Sequence, residues 1–279
     1  YGLTAAALER VMRDGRPDLF IALDCGTNSV EEVEALRAEG IEVLVVDHHR
    51  SREETPEDCL LVNPHVDGNG ATPWKNLCTV GLVFKLVHGL VKRLRELGNA
   101  TAEALDLKSY LDFVALGTVA DLVPLRDENR ILCRHGLKRL ANTSRKGIHA
   151  LFEVAGLEHG QEWQPPDISF RLGPRINASG SLDDAVEPVK LFLNHDYERC
   201  LDAARKLDAF NRERQAIERE MVEQACAAVE QLANGRETIV VAGNEWHPGV
   251  VGIVAGKLAR DYGRPSIALG RDGDNFVGS

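Results

Sequence analysis

Three acidic positions and one pair of histidines are the residues best placed to do chemistry. Asp24 follows the apolar run Leu19-Phe-Ile-Ala-Leu23, and Asp47 follows Ile41-Glu-Val-Leu-Val-Val46 and is itself followed by His48 and His49. Asp121 closes Gly117-Thr-Val-Ala-Asp121. Carboxylate oxygen combined with imidazole nitrogen suits Mn²⁺ and its near neighbours. In open α/β sheets ligands bind beyond the carboxyl ends of the strands, so two aspartates delivered by neighbouring strands would face one crevice. Each aspartate taken alone has a plainer use, capping a helix or turn. Two adjacent histidines after a buried strand are harder to assign to the core. Acids and histidines clustered in one crevice are what a two-metal phosphodiester hydrolase requires.

The elements that must hold these residues can be read from the pattern. Asp18–Asp24 reads as a buried strand. Ser29-Val-Glu-Glu32 reads as a capping box that opens a helix ending at Gly40, and Ile41–Asp47 reads as a second strand. Strand, helix and strand at this spacing form a βαβ unit with parallel strands. Asn63-Pro64 and Asp67–Ala71 mark a loop, a helix is expected over Val80–Leu97, and the apolar segment Tyr110–Ala120 ends before Pro124. From about Asp196 to Ala233 the apolar residues Leu201, Ala204, Leu207, Phe210, Ile217, Met221, Ala225 and Leu232 share one helical stripe, with Asn234-Gly235 as a stop. Such a helix, about 55 Å long, suits a connector between domains. Thr238–Ala242, Gly249–Tyr262 and Pro265–Leu269 read as a second strand–helix–strand unit.

Composition narrows the class. With 279 residues the chain can bury a full core and leaves room for about two domains. No run approaches the roughly 20 apolar residues that cross a membrane. The six cysteines are scattered without a Cys-x-x-Cys pair, which argues against a zinc knuckle or disulfide framework and suits a reducing cytoplasm. The net charge of −10 gives no global basic footprint, so nucleic acid would have to be met in a local groove. Tyr1 in place of an initiator methionine, and the stop at Ser279, give the expectation of a chain cut at both ends.

Asp24-Cys-Gly-Thr27, Asp47-His48-His49 and Gly117–Asp121 resemble the second, third and fourth motifs of the DHH phosphoesterases. Gly173-Pro-Arg-Ile-Asn-Ala-Ser-Gly180, the helix with Asn211-Arg-Glu-Arg-Gln215, and Trp246-His-Pro-Gly-Val-Val-Gly-Ile-Val-Ala255 are similar to the RecJ branch of that family and its DHHA1-type domain. The resemblance implies that Asp24 bridges two metal ions and that His48 and Asp121 ligate one of them. His49 and Asp47 are the catalytic candidates, His49 facing the phosphate and Asp47 holding the histidines. Arg175 and Asn177 would meet the substrate strand, although an ion pair is an equally ordinary use of Arg175. Gly249 and Gly252 would present backbone N–H groups to a phosphate, or else allow close helix packing. The family's first motif, an Asp-x-Asp pair, is absent. Ser181 stands where the family usually has a basic residue.

The expectation is therefore an α/β protein: a DHH domain over 1–195 with a parallel sheet, a connecting helix over 196–235, and the start of a smaller α/β DHHA1-type domain over 236–279. The resemblance implies 5′ to 3′ hydrolysis of single-stranded DNA in repair and recombination, with two Mn²⁺ or Mg²⁺ ions in the complete site. Single-strand-binding protein and a helicase are the implied partners, in the cytoplasm and away from membranes. The alternatives are a DHH phosphodiesterase of short oligonucleotides or cyclic dinucleotides, and a catalytically inactive DNA-binding module of the same fold.

Overall fold

The computed structural model describes residues 2–13, 15–52, 54–66, 74–182, 186–231 and 237–279. The loop read at Asp67–Ala71, Leu232, the stop at Asn234-Gly235 and the side chain of Ser181 lie outside what is described. The chain divides into two compact units, Tyr1–Thr143 with Gly160–Ser169, and Ser144–His159 with Phe170–Ser279.

The first unit begins with α1 (Ala5–Arg13), β1 (Leu19–Leu23), α2 (Val30–Ala38), β2 (Glu42–Val46) and β3 (Leu60–Val62). The three strands pair in the order β1-β2-β3, all parallel, with Leu23 opposite Val46 and Val46 opposite Val62. This is the expected βαβ unit with one further strand, β3, that the short Leu60-Leu-Val62 run did not announce. Val43, Val45 and Val46 of the central strand are essentially buried, as a β-branched run in a parallel sheet should be. Val43 and Val45 form one core with Ala22, Val33, Leu36 and Ile41, and Val46 forms a second with Leu77 and Leu82. β1 departs from the buried strand its apolar run predicts. Leu19, Ile21 and Leu23, alternate residues on one face, are each about half exposed, and among the described residues β1 pairs with β2 alone, at the edge of the sheet. The capping box is also not formed: Ser29 is the N-cap of α2, but its hydroxyl donates to the Leu3 carbonyl rather than accepting from the helix.

Helices complete this unit: α3 (Thr79–Glu96), α4 (Ala100–Ala104), a 3₁₀ turn (Leu107–Tyr110), α5 (Leu111–Ala120) and α6 (Asp127–Ala141). α5 and α6 form a tight antiparallel hairpin. A Cβ on Gly136 would stand 2.3 Å from the Leu111 carbonyl oxygen, so only glycine allows the two backbones to meet there.

The second unit contains α7 (Lys146–Val154) and, after the short α8 (Pro165–Asp167) of the first unit, α9 (Gly173–Leu182), α10 (Val186–Leu193) and α11 (Tyr197–Glu230). A π-helical turn, Ile168–Leu172, leads into α9. Then come β4 (Ile239–Gly243), α12 (Val251–Tyr262), β5 (Ser266–Asp272) and β6 (Asn275–Gly278). β4 and β5 are parallel around α12, as expected, and β6 adds an antiparallel strand. The 34 residues of α11 extend about 50 Å. Its first part buries Cys200, Leu201, Ala204, Leu207, Asp208 and Asn211, and its last part buries Met221 and Ala225 in a core with Ile239, Trp246 and Val254. Between Arg212 and Glu220 no residue is fully buried, and Ile217 already packs against the second of these cores, so one helix serves two packing groups.

Candidate metal centre

All three strands of the first sheet end in a polar residue at the same edge. Asp24, Asp47 and Asn63 follow β1, β2 and β3 directly, and the Asp24 and Asp47 N–H groups continue the ladder by donating to Val46 and Val62. Parallel pairing in register therefore brings these three side chains to one rim. Asp24 holds the left-handed backbone conformation, φ 65°, which costs least for Asp and Asn among non-glycine residues. Gly26 follows at φ 106°, where a Cβ would crowd Val45. The chain thus turns sharply after β1, with the Asp24 side chain more than half exposed.

Asp47 is the buried anchor, 1% exposed. Its Oδ1 accepts the His48 N–H at 2.7 Å and the His49 N–H at 3.2 Å, and lies 2.7 Å from His49 Nδ1. Its Oδ2 accepts the Thr27 N–H at 3.1 Å. Burial alone would raise this carboxyl, but the bonds from Thr27 and His49 outweigh it and bring the pKa down to about 2. Buried Asn63 extends the network, donating to the Thr27 hydroxyl and to the His49 carbonyl, each at 2.8 Å. Thr27 and Asn63 are functional supports that the sequence reading missed. Their only signal is position: Thr27 closes the Asp24 motif, and Asn63 follows a short apolar run.

His48 points the other way. Its Nε2 is buried, lies 3.4 Å from Asp24 Oδ1 and 3.3 Å from Asp121 Oδ2, and makes no hydrogen bond. Asp24 chiefly, with Asp121, holds the imidazole above its usual pKa of 6.5 against the opposing effect of burial. Asp121 is the C-cap of α5, where the helix end carries partial negative charge and a carboxylate is unfavourable. Burial and the neighbouring Asp24 carboxylate push its pKa up, partly offset by the histidines. Helix capping therefore does not account for Asp121.

Asp24, His48 and His49 each offer a ligand atom within 4.8 Å of the others, and Asp121 closes the group from α5. An imidazole nitrogen buried between two carboxylates without a hydrogen bond fits a divalent cation. Of the predicted site residues, Asp24, Asp47, His48, His49 and Asp121 are thus brought together.

Arg175, Asn177, Gly249 and Gly252 belong to the second unit. Arg175 lies on α9. Its Nε donates to buried Asp208 at 2.9 Å, and its Nη1 donates to the Arg171 carbonyl. Asp208 also pairs with the exposed Arg212 at 2.6 Å. Asn177 is exposed on the same helix. The Gly249 N–H donates to His247 Nδ1 at 3.1 Å, and Gly252 is exposed, with Ser279 at ordinary contact distance from where a Cβ would be.

The chain is similar to known proteins in both sequence and fold. The DHH family, N-terminal domain, matches residues 3–118. The chain is 38% identical over 277 residues to the single-stranded-DNA-specific exonuclease RecJ of Bacillus subtilis, covering 99% of this chain and 33% of that protein. It is 38% identical over 286 residues to RecJ of Escherichia coli, covering 99% and 49%. A crystal structure of exonuclease RecJ bound to manganese superposes with a TM-score of 0.80 at 30% identity, covering 97% of this chain and 65% of that one. RecJ from Thermus thermophilus in complex with Mn²⁺ gives 0.80 at 31% identity, covering 94% and 38%. The chain thus spans between a third and a half of these curated relatives. Residues 3–118 thus match the N-terminal domain of the DHH family, and the chain is similar to RecJ proteins over nearly its whole length.

Proposed function

We propose that this chain is the catalytic part of a metal-dependent nuclease that hydrolyses single-stranded DNA from its 5′ end. The observation that carries the reading is His48 Nε2, buried between the Asp24 and Asp121 carboxylates without a hydrogen bond. Asp24, His48 and Asp121 would hold Mn²⁺ or Mg²⁺, the ions named for the similar structures. When bound, such ions supply an activated water and charge to stabilise the leaving oxygen. Asp47 is a positioning residue. By accepting from His49 Nδ1 it orients that half-exposed ring and leaves Nε2 free, which would donate to a phosphate oxygen when the ring is protonated. Because two donors of Arg175 are engaged by Asp208 and Arg171, its proposed contact with the strand would use what remains of the guanidinium, beside Asn177. Gly249 and Gly252, at the start of α12, are proposed to approach the strand's phosphates.

We further propose the division into a DHH domain over 1–195, a connecting helix over 196–235 and a DHHA1-type domain over 236–279. Single-strand-binding protein and a helicase are the proposed partners, in the cytoplasm. None of the described helices is long and apolar enough to cross a membrane. The test is a panel of 5′- and 3′-labelled oligomers, long and short, single- and double-stranded, incubated with Mn²⁺ and with chelator. Mn²⁺-dependent release of 5′ nucleotides from long single strands is expected. Cleavage confined to di- or trinucleotides or cyclic dinucleotides would refute the reading.

A further inference from the structure

The chain carries a net charge of −10, yet one helix face carries four basic residues in a row, with Asp127 in the first turn the acidic residue among them. Arg126, the N-cap of α6, is followed by Arg130, Arg134 and Lys138, spaced four residues apart and all exposed. Four residues advance an α-helix about 6 Å and turn it by about 40° past a full revolution, so the side chains form one slowly winding stripe about 18 Å long. Neighbouring cations are neutralised: Lys85 pairs with Glu128 at 2.7 Å and Arg139 lies 3.9 Å from Asp106. Among the described residues, the four of the stripe have no ion-pair partner. Unpaired like charges aligned along one helix repel each other and contribute nothing to folding, so a solvated face has no reason to align them.

The stripe has a defined start and end. It begins five residues after Asp121, at the end of the α5–α6 hairpin that contributes Asp121 to the metal centre, and the antiparallel packing at Gly136 makes it run away from that end. It finishes at a cavity of about 660 Å³ lined by Arg134 and Lys138 together with the amides of Asn142, Gln161 and Gln164. Glu162 is the one carboxylate in that lining. Cations at a step of about 6 Å match the repeat of an extended phosphate backbone. Amides beside them can meet sugar or base edges.

We propose that the Arg126–Lys138 face of α6 and the cavity at its end form a second nucleic-acid track, which binds the phosphates of a strand lying outside the metal centre. The reading of the metal centre as a nuclease enters only in the choice of a nucleic acid as partner. The experiment compares the wild-type chain with Arg130→Gln/Arg134→Gln/Lys138→Gln. A control with equal charge loss elsewhere in the same unit, Lys92→Gln/Arg10→Gln/Arg13→Gln, is measured in parallel. Fluorescence anisotropy follows a 5-mer and a 25-mer of single-stranded DNA across a salt series with chelator present, and 5-mer cleavage is measured separately in Mn²⁺. Glutamine preserves helix propensity, and circular dichroism checks the fold. Loss of three phosphate contacts should lower the slope of log affinity against log salt by about 2 for the 25-mer and weaken its binding roughly tenfold or more. Binding and cleavage of the 5-mer should be unchanged, and the control should match wild type. An unchanged 25-mer affinity and slope would overturn the proposal, and so would an equal loss in the control. If no protein cleaves any oligomer but the difference in slope persists, the nuclease reading fails while the track stands.

Discussion

Asp47→Asn should expose how much of the fold depends on a residue placed for chemistry. The carboxylate is 1% exposed, accepts three backbone N–H groups and lies 2.7 Å from His49 Nδ1. An amide offers one oxygen where the carboxylate has two, so at least one buried donor loses its partner. Leaving such a donor unsatisfied costs about 1–3 kcal/mol. The pKa gives a second route to the magnitude. A carboxyl at about 2 in the fold and 3.8 ordinarily contributes about 2 kcal/mol at neutral pH. Because the folded pKa is the lower one, this stability is present above pH 3.8 and is lost as pH falls through about 2. Urea unfolding with chelator present, which removes any contribution from bound metal, is the assay. At pH 7 the variant should be less stable by about 2 kcal/mol, and the gap should narrow steadily below pH 4. Equal stability at pH 7, or a gap that persists unchanged at pH 2–3, would refute the reasoning.

Other outcomes follow from the same site. His48→Ala and Asp24→Asn should both abolish Mn²⁺ binding in calorimetry, and Asp24→Asn should leave the unfolding midpoint nearly unchanged, since asparagine tolerates the left-handed backbone and the Asp24 side chain is more than half exposed. Mn²⁺ affinity should weaken as pH falls through the raised pKa of His48, beginning above 6.5, with proton uptake or release detected in buffers of different ionisation enthalpy. Asp121→Asn should stabilise the metal-free fold by a few tenths to about 1 kcal/mol, because it removes a charge from a helix C-terminus, and should still lose metal binding. Arg175→Ala should destabilise the chain by about 1–3 kcal/mol, since buried Asp208 keeps only Arg212. Weakened single-strand binding with an unchanged melting temperature would instead assign Arg175 to the strand alone.

The sequence by itself determined the α/β class, the two strand–helix–strand units, the long helix and the placement of Asp24, His48 and His49 at strand ends, while Asp121 joined them only through the family resemblance. Each of the others is written in local signals: β-branched runs of strand length, apolar stripes of helical period, and polar residues at the ends of those runs. It did not determine which strands lie at an edge, because Leu19-Phe-Ile-Ala-Leu23 reads as buried whether or not a neighbour covers it. Its local pattern could not divide labour within Asp47-His48-His49, and the roles given to them came only from the family resemblance. Three adjacent residues look equivalent until the turn after β2 sends Asp47 inward to Thr27 and His49, and His48 toward Asp24 and Asp121. Thr27 and Asn63 became visible only when parallel pairing brought the ends of β1, β2 and β3 to one rim, a relation between segments up to 36 residues apart. Arg175 shows the same limit. Its guanidinium suits a phosphate or a carboxylate equally, and the carboxylate that it meets, Asp208, is 33 residues away on a different helix. Residue types and periods set what each segment can be, but which groups share a buried space depends on non-local packing, and that only the tertiary structure decided.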